Sequence, residues 1–267
     1  MISLESKGDS LRIKAIFVIG IILLFVPMAY GEGSISEPGA KTGKAFRYIA
    51  KKFGVPILTA SIKIGNGFSE EGRFLYRVEA QVNSLPYLGI FFRMKNRFTS
   101  TVVAETCSPI RYVKEIDQEG LLAERKNYLQ ILTFDPNGKK VVVEKPGEKE
   151  KREVSLPTET YDPLSMFARC YLKEELHPGQ EIRMSIYDGV KLRQMIFHAK
   201  KERVKSKVYG EVETVCLEST TSFSTFGDKE GMIRIWYTAD ARKTPISMEL
   251  DLPVGSVKFD LEEAEEI

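Results

Sequence analysis

Apolar and polar residues alternate along most of the chain, from about residue 58 to residue 261. In the two clearest runs, 58–64 and 74–82, every second residue is apolar, which is typical of half-buried antiparallel strands. Shorter or weaker runs of the same kind occur at 98–104, 128–134, 141–144, 182–186, 190–199, 232–238, 246–250 and 257–261. The pattern predicts a mainly β protein of roughly ten to twelve strands.

Turn and helix signals interrupt this alternation. Asp135-Pro136-Asn137-Gly138 predicts a hairpin, because proline fixes φ at the second turn position and glycine tolerates the left-handed conformation. Asp188-Gly189 and Tyr209-Gly210 predict further turns. One segment has helical spacing instead: Asp162 is placed to cap a helix that begins at Pro163 and buries an apolar stripe against the sheet. The stripe consists of Leu164, Phe167, Ala168, Tyr171 and Leu172.

These elements predict a large curved antiparallel sheet or partly closed barrel, with one central helix. We expect a single all-β domain over residues 46–261, since sandwiches and barrels of this length are common. Residues 32–45 are rich in Gly, Ser, Pro and Ala, which predicts a flexible linker. The acidic residues 262–267 predict a frayed tail.

An apolar segment precedes the linker and bears on the compartment. Residues 15–30 are apolar or small, Arg12 and Lys14 stand just before them, and Ala29 and Gly31 flank a possible cleavage point. This layout is typical of a secretory signal peptide, and the segment is short against the about 20 apolar residues of a membrane span. We therefore expect a periplasmic or exported protein, with an uncleaved N-terminal anchor as the alternative.

Charge and cysteine content exclude other classes of protein. The chain has 39 Lys and Arg against 37 Asp and Glu, a formal net charge of +2, with both signs interspersed. A nucleic-acid partner is disfavoured, because such proteins have a basic excess or a basic face. Cys107, Cys170 and Cys216 are too far apart in sequence for a metal motif. One pair could form a disulfide, but the interpretation we favour is that Cys170 and Cys216 are small buried apolar residues.

Several motifs together point to a family. GVPILTA lies at 54–60, YDPLS at 161–165, HPGQ at 177–180, YDG at 187–189, and IRIWYTADARKTPISMELDLPVGSVKFDL at 233–261. In this order and spacing they resemble the bacterial family named domain of unknown function 3108, over nearly the whole chain after the linker. The resemblance implies an all-β envelope protein. It implies no reaction, cofactor or catalytic residue.

The sequence offers little for catalysis. His177 stands in a turn and His198 on a strand among basic residues, so we expect both to be exposed. None of the nucleophile-elbow, zinc, P-loop or dinucleotide motifs is present in the sequence. Glu249 and Asp251 share one strand face, where a carboxylate-based hydrolase could place an acid and a base. That face is more easily explained as solvent-exposed, so we predict no catalytic residues, no metal and no cofactor.

Two connections between strands are unusually apolar. The first, at 85–94, reads LPYLGIFFRM, and the second, at 223–226, reads FSTF. Such residues are either buried against the body or meet a ligand or a membrane. If both connections lie at one end of a curved sheet, they form an apolar mouth like those of ligand-binding barrels. The candidate ligand-binding residues are Leu85, Tyr87, Leu88, Phe91, Phe92, Arg93, Phe223 and Phe226.

These observations favour a non-enzymatic envelope protein that binds a lipid or another apolar ligand, with Arg93 meeting an anionic head group. One alternative is an assembly or interaction protein that uses the same apolar loop against an envelope protein partner. A carboxylate-based hydrolase is a second and weaker alternative. Membrane contact is expected only if the N-terminal segment is retained.

Overall fold

The computed structural model describes residues 43–89, 91–120, 123–148, 150–157, 159–223, 229–253 and 255–267. The helix α1 spans Pro163–Leu172. The strands are β1 (Lys44–Lys52), β2 (Val55–Ile64), β3 (Phe68–Glu70), β4 (Arg73–Ser84), β5 (Phe92–Val103), β6 (Pro109–Gly120), β7 (Ala123–Phe134), β8 (Lys140–Glu144), β9 (Arg152–Ser155), β10 (Thr160–Tyr161), β11 (Glu181–Tyr187), β12 (Leu192–Ser206), β13 (Gly210–Phe223), β14 (Lys229–Thr238), β15 (Pro245–Asp251) and β16 (Val257–Glu266).

All of these strands belong to one curved sheet. Its order is β10-β11-β12-β13-β14-β15-β16-β1-β2-β4-β5-β6-β7-β8-β9, with β3 paired to β4. Neighbours are antiparallel except β10 and β11, which run parallel. Within the described ranges, the predicted fold class is confirmed: a large curved antiparallel sheet or partly closed barrel, with one central helix. The predicted number of strands is too low, because β3, β9 and β10 are short and β1 and β6 carry weaker apolar alternation than the runs found in the sequence.

The sheet is not closed by hydrogen bonds between its edge strands β9 and β10, and we call this gap the seam. Side chains bridge it instead. Arg152 of β9 donates to the Tyr187 hydroxyl and to the Gly189 carbonyl, at 2.8 and 2.9 Å. Lys114 of β6 donates to the carbonyl of Asp188 at 2.8 Å. The turn between β11 and β12 therefore ties the two edges of the sheet together.

Helix α1 lies inside the curve, where it contacts β4, β5, β10 and β11. Seven of its ten residues are buried, so it packs on nearly all sides and not along one stripe. Asp162 caps it by accepting hydrogen bonds from the backbone of Leu164 and Ser165, and Ser165 donates in return to the Asp162 carbonyl. The predicted helix start is confirmed, and the helix fills the centre of the barrel-like sheet.

The acidic C-terminal residues continue β16 and are not a frayed tail, which corrects the prediction for residues 262–266. They pair with the start of β1, with Glu266 opposite Lys44 and Glu263 opposite Arg47. Lys44 and Arg47 form ion pairs with these glutamates. The negative run is therefore matched by cations on the neighbouring strand, which a single-strand pattern does not reveal.

Candidate functional site

The antiparallel register gives the sheet two distinct ends. At the end that we call the cavity end, β1 begins, β2 ends and β16 ends, since Lys44 pairs with Ile64 and Glu266. At the opposite end, which we call the turn end, short connections join β1 to β2 and β4 to β5. The predicted apolar loop belongs to the turn end. A cavity lined by aromatic residues lies at the cavity end.

A cavity of about 400 Å³ opens at the cavity end, between the start of β1, the end of α1 and the turn that follows β14. This volume lies within the range of small-molecule sites. Its wall is formed by residues from seven parts of the fold. They are Lys44, Phe46, Ile64, Gly65, Tyr76, Tyr171, Leu172, Tyr209, Ala241, Arg242, Lys243, Thr244, Ala264, Glu265 and Glu266.

Aromatic rings form the inner wall of this cavity. Tyr171 of α1 packs edge-on against Phe46, with ring centroids 5.4 Å apart, and stacks on Phe167 at 6.4 Å. Burial raises the pKa of Tyr171 to about 12, so its hydroxyl stays neutral at physiological pH. The rings are therefore held in fixed orientations by packing, and the wall carries no charge at depth.

Charged side chains form the outer rim. Lys44 pairs with Glu266, and the Glu265 carboxylate lies 3.1 Å from Arg47. Arg242 lies 4.9 Å from the centre of the Tyr209 ring. Lys243 donates from its ammonium group to the carbonyl of Glu174 at 2.6 Å. The cavity thus combines an apolar interior with a polar entrance, which suits a molecule that has an apolar body and a polar head.

The candidate ligand-binding residues of the first apolar loop separate into three groups. Tyr87 and Phe91 are exposed on the connection between β4 and β5, and Leu85 and Leu88 are half-buried beside them. Phe92 is the first residue of β5 and joins the core. The structure thus brings Tyr87 and Phe91 together at the surface and gives Phe92 a packing role.

Arg93 is already engaged by the protein itself. Its guanidinium donates to both Asp117 oxygens, at 2.8 and 3.1 Å, and to Glu119 at 3.1 Å. These hydrogen bonds raise the pKa of Arg93. An anionic head group would have to compete with two carboxylates for this cation, so its predicted role has no support in this arrangement.

The second apolar loop lies largely outside the described residues. Phe223 ends β13 opposite Lys229, and its side chain is not described; Phe226 lies outside the described ranges. The register places the end of β13 at the same end as the connection from β4 to β5, because β14 and β15 link it to β16 by antiparallel pairs. The described backbone therefore places Phe223, where the second loop begins, at the turn end.

Sequence reasoning missed the residues that line the cavity. Phe46 lies in the segment 44–52, whose apolar positions are interrupted by Arg47 and flanked by lysines. Tyr209 and Arg242 lie in turns. A signal does exist: aromatic residues adjoin turn glycines at Tyr209-Gly210 and in the stretch around Gly65 and Gly67. Only the register shows that these turns meet at one end.

The other polar candidates have partners on the surface. Glu249 lies 3.7 Å from Arg234, and Asp251 accepts a hydrogen bond from Ser256 at 2.9 Å. His177 and His198 are exposed, as predicted. Within the described ranges, no group of three or more His, Cys, Asp or Glu side chains is placed to hold a metal ion. Glu249 and Asp251 are thus half-buried, each beside its own partner.

All three cysteines are buried and none forms a disulfide. Burial raises the pKa of both the Cys170 and the Cys216 thiols to about 12. The interpretation that Cys170 and Cys216 are buried apolar residues is confirmed. Their thiols are protonated at physiological pH and are therefore poor nucleophiles.

Comparison with known proteins supports the barrel-like geometry and the family. The family model described as a protein of unknown function, DUF3108, matches residues 46–262. The chain belongs to the DUF3108 family. This DUF3108 chain is also similar to the crystal structure of a beta-barrel-like protein of domain of unknown function DUF1849 from Brucella abortus. The two share 10% sequence identity and a TM-score of 0.55, over 85% of this chain and 98% of the other, which shows a shared fold.

No curated protein matches the DUF3108 chain. The apolar segment 15–30 and most of the predicted linker lie outside the described residues. Among the residues that the structure does describe, no helix has the length and apolar character needed to cross a bilayer.

Proposed function

We propose that this protein is a non-catalytic binding protein of the bacterial envelope that holds an amphiphile, a molecule with an apolar tail and a polar head, in the cavity at the cavity end. The observation that carries the proposal is the 400 Å³ cavity with aromatic walls and a charged rim. The signal-like N-terminal pattern supports the compartment.

The driving force is the burial of apolar surface against the aromatic wall. Transfer of apolar area from water is favourable by about 25 cal/mol per Å². Because Phe46 and Tyr171 already pack on each other, ordering them on binding costs little conformational entropy. The rim residues Lys44, Arg242 and Glu266 remain in contact with solvent and with the polar head of the ligand.

The predicted ligand residues and the cavity lie at opposite ends of the sheet, so the proposal moves the ligand away from Tyr87 and Phe91. The centre of the barrel-like sheet holds α1, whose residues Leu164, Phe167 and Ala168 are buried. A ligand between these ends would have to displace the helix. The cavity beside the C-terminal end of α1 needs no such change.

The experiment tests the cavity with a substitution that fills part of its volume. Ala264 lies in its wall, and Ala264→Phe is expected to weaken binding of the fluorescent fatty acid cis-parinaric acid at least about tenfold, because the added ring occupies the apolar volume. Ala239→Phe is the matched control, since Ala239 is exposed near the same turn and does not line the cavity.

Equal affinity in the wild type and in Ala264→Phe would refute the cavity as the site. Mass spectrometry of an organic extract of the purified protein provides the second measurement. An extract free of amphiphiles, together with no saturable binding of cis-parinaric acid, would contradict the proposed function.

A further inference from the structure

Four large apolar side chains are exposed on two connections at the turn end. Phe53, between β1 and β2, and Val55, the first residue of β2, are 82% and 55% exposed. Tyr87 and Phe91, between β4 and β5, are 57% and 62% exposed. We call these four residues the turn patch. Soluble surfaces rarely concentrate so many large apolar side chains on adjacent turns without a use for them.

The two connections form one continuous surface. The Tyr87 hydroxyl donates a hydrogen bond to the carbonyl of Pro56. The backbone N–H of Leu85 donates to the carbonyl of Ile57 at 3.1 Å. The turn patch is therefore held together by hydrogen bonds between the two connections.

Several backbone groups of the turn patch are paired within its second connection. Leu88, Gly89 and Phe91 donate their N–H groups to carbonyls within the same connection, at 3.0, 3.0 and 2.9 Å. Pro56 and Pro86 have no N–H group to satisfy. Because unpaired backbone groups make an irregular segment costly to bury in an apolar medium, this pairing lowers the cost of moving the turn patch out of water.

One charged residue adjoins the turn patch in sequence. In the segments KFGVPI at 52–57 and SLPYLGIFF at 84–92, the one charged residue is Lys52. Its ammonium group lies 5.6 Å from the centre of the Phe53 ring. The carboxylates that face the start of β5, Asp117 and Glu119, are paired with Arg93. Apolar side chains beside a lysine complement a surface that is apolar below and anionic above.

The size of the turn patch distinguishes a lipid surface from a protein partner. With roughly 200 Å² for a whole aromatic side chain, the exposed area of the four residues is about 500 Å². A stable protein–protein interface buries about 800 Å² on each partner. Side chains at the tips of turns can insert individually into a lipid interface, where a flat complementary face is not needed.

We propose that the turn patch inserts into the interfacial region of an anionic lipid layer, with Phe53 and Phe91 below the head groups and Lys52 at their level. This inference concerns the end opposite the cavity and stands independently of the proposed ligand. It also differs from anchoring by the N-terminal segment, because it assigns membrane contact to the folded body.

The test reports on residue 53 itself, so that it is independent of the N-terminal segment. The full chains carrying Phe53→Trp and Val208→Trp are mixed with phosphatidylcholine vesicles, with and without phosphatidylglycerol, that contain brominated acyl chains. Val208 is the matched control because it is an exposed apolar residue at the cavity end. The chain has one native tryptophan, Trp236, whose signal is subtracted with the unsubstituted chain.

When phosphatidylglycerol is present, we expect the added tryptophan fluorescence of the Phe53→Trp chain to shift to the blue and to be quenched by the brominated lipid, while the Val208→Trp chain is unaffected. Adding Lys52→Glu is expected to weaken the partitioning about thirtyfold, since each unit of charge changes it about fivefold. Absence of quenching, or equal quenching in both chains, would overturn the proposal. A blue shift that grows with protein concentration without vesicles would overturn it in favour of a protein interface.

Discussion

At the scale of single residues, Asp162 is a buried carboxylate that holds α1 and the sheet together. It caps the helix and accepts a hydrogen bond from the Ser100 hydroxyl of β5 at 2.7 Å. Asp162→Ala leaves these donors unpaired, and we expect it to lower the free energy of unfolding by about 2–3 kcal/mol in urea denaturation. A loss below about 0.5 kcal/mol would contradict this role.

The pH dependence of Asp162 can be predicted with its sign. Burial raises the pKa of Asp162 above its ordinary value, although its hydrogen bonds act in the opposite direction. The folded state therefore binds this proton more tightly than the unfolded state, and ionisation of Asp162 opposes folding as pH rises. Asp162→Asn stays neutral and keeps an acceptor, so its stability relative to the wild type is expected to improve between pH 4 and pH 7. A constant or declining relative stability would show that the direction is wrong.

At Gly189, two costs of adding a side chain combine: a close contact with neighbouring side chains and a backbone conformation with positive φ. It has φ +89°, and a Cβ there would lie 2.7 Å from Gln130 Oε1 and 3.1 Å from Leu132 Cδ1. Gly179 has φ +88° with no atom within 4 Å, so Gly179→Ala measures the conformational cost alone, about 1 kcal/mol. We expect Gly189→Ala to cost about 1–3 kcal/mol more in thermal or urea unfolding. Equal losses in the two variants would contradict the tight contact.

At the scale of elements, the end of β16 is structural. Deleting residues 262–267 removes the strand pairs to β1 and the Ala264 contact with the cavity wall. We expect a loss of about 2–4 kcal/mol in the free energy of unfolding, together with loss of cis-parinaric acid binding. Glu263→Lys is the control: because Glu263 and Arg47 are both exposed, it should change stability by less than about 1 kcal/mol. If the deletion leaves the free energy of unfolding and the binding unchanged, residues 262–267 behave as a frayed tail.

At the scale of the whole molecule, the alternation of apolar and polar residues is sufficient to predict the fold class. The capping signal at Asp162 is sufficient to predict where the helix starts. Strands whose outward residues are charged and whose inward residues are few, such as β1, gave too weak a pattern to be recognised. The cavity could not be predicted, because Phe46, Tyr171 and Arg242 come together only through the register of distant strands. The exposed part of the apolar loop was visible in the sequence because Tyr87 and Phe91 stand out where polar residues are usual.

The seam is where we expect the molecule to open first, and its stability should depend on pH. Burial raises the pKa of Asp188, but Arg193 and Lys114, together with backbone N–H groups, outweigh it and lower the pKa below its ordinary value of 3.8. The stabilisation by ionised Asp188 is therefore complete above that value and is lost as pH falls through the lower, folded-state pKa. Since side-chain hydrogen bonds, and not a backbone ladder, tie the turn at Asp188 to β9, acid should loosen β9 and β10 before the rest of the sheet.

Hydrogen exchange, corrected for the intrinsic rate at each pH, measures this loosening. We expect protection in β9 and β10 to decrease between pH 6 and pH 3 while β1 and β16 remain protected. Asp188→Asn should reduce protection at the seam already at pH 6 and remove the pH effect there. Asp240→Asn is the control, because Asp240 lies at the cavity end and also has a lowered pKa. Burial raises the pKa of Asp240, but hydrogen bonds from Arg242 and Thr238 outweigh burial and lower it. A seam without a backbone ladder should open before strands that are paired by backbone hydrogen bonds. If all strands lose protection together at acid pH, the sheet therefore unfolds as one unit and the seam is not its weak point.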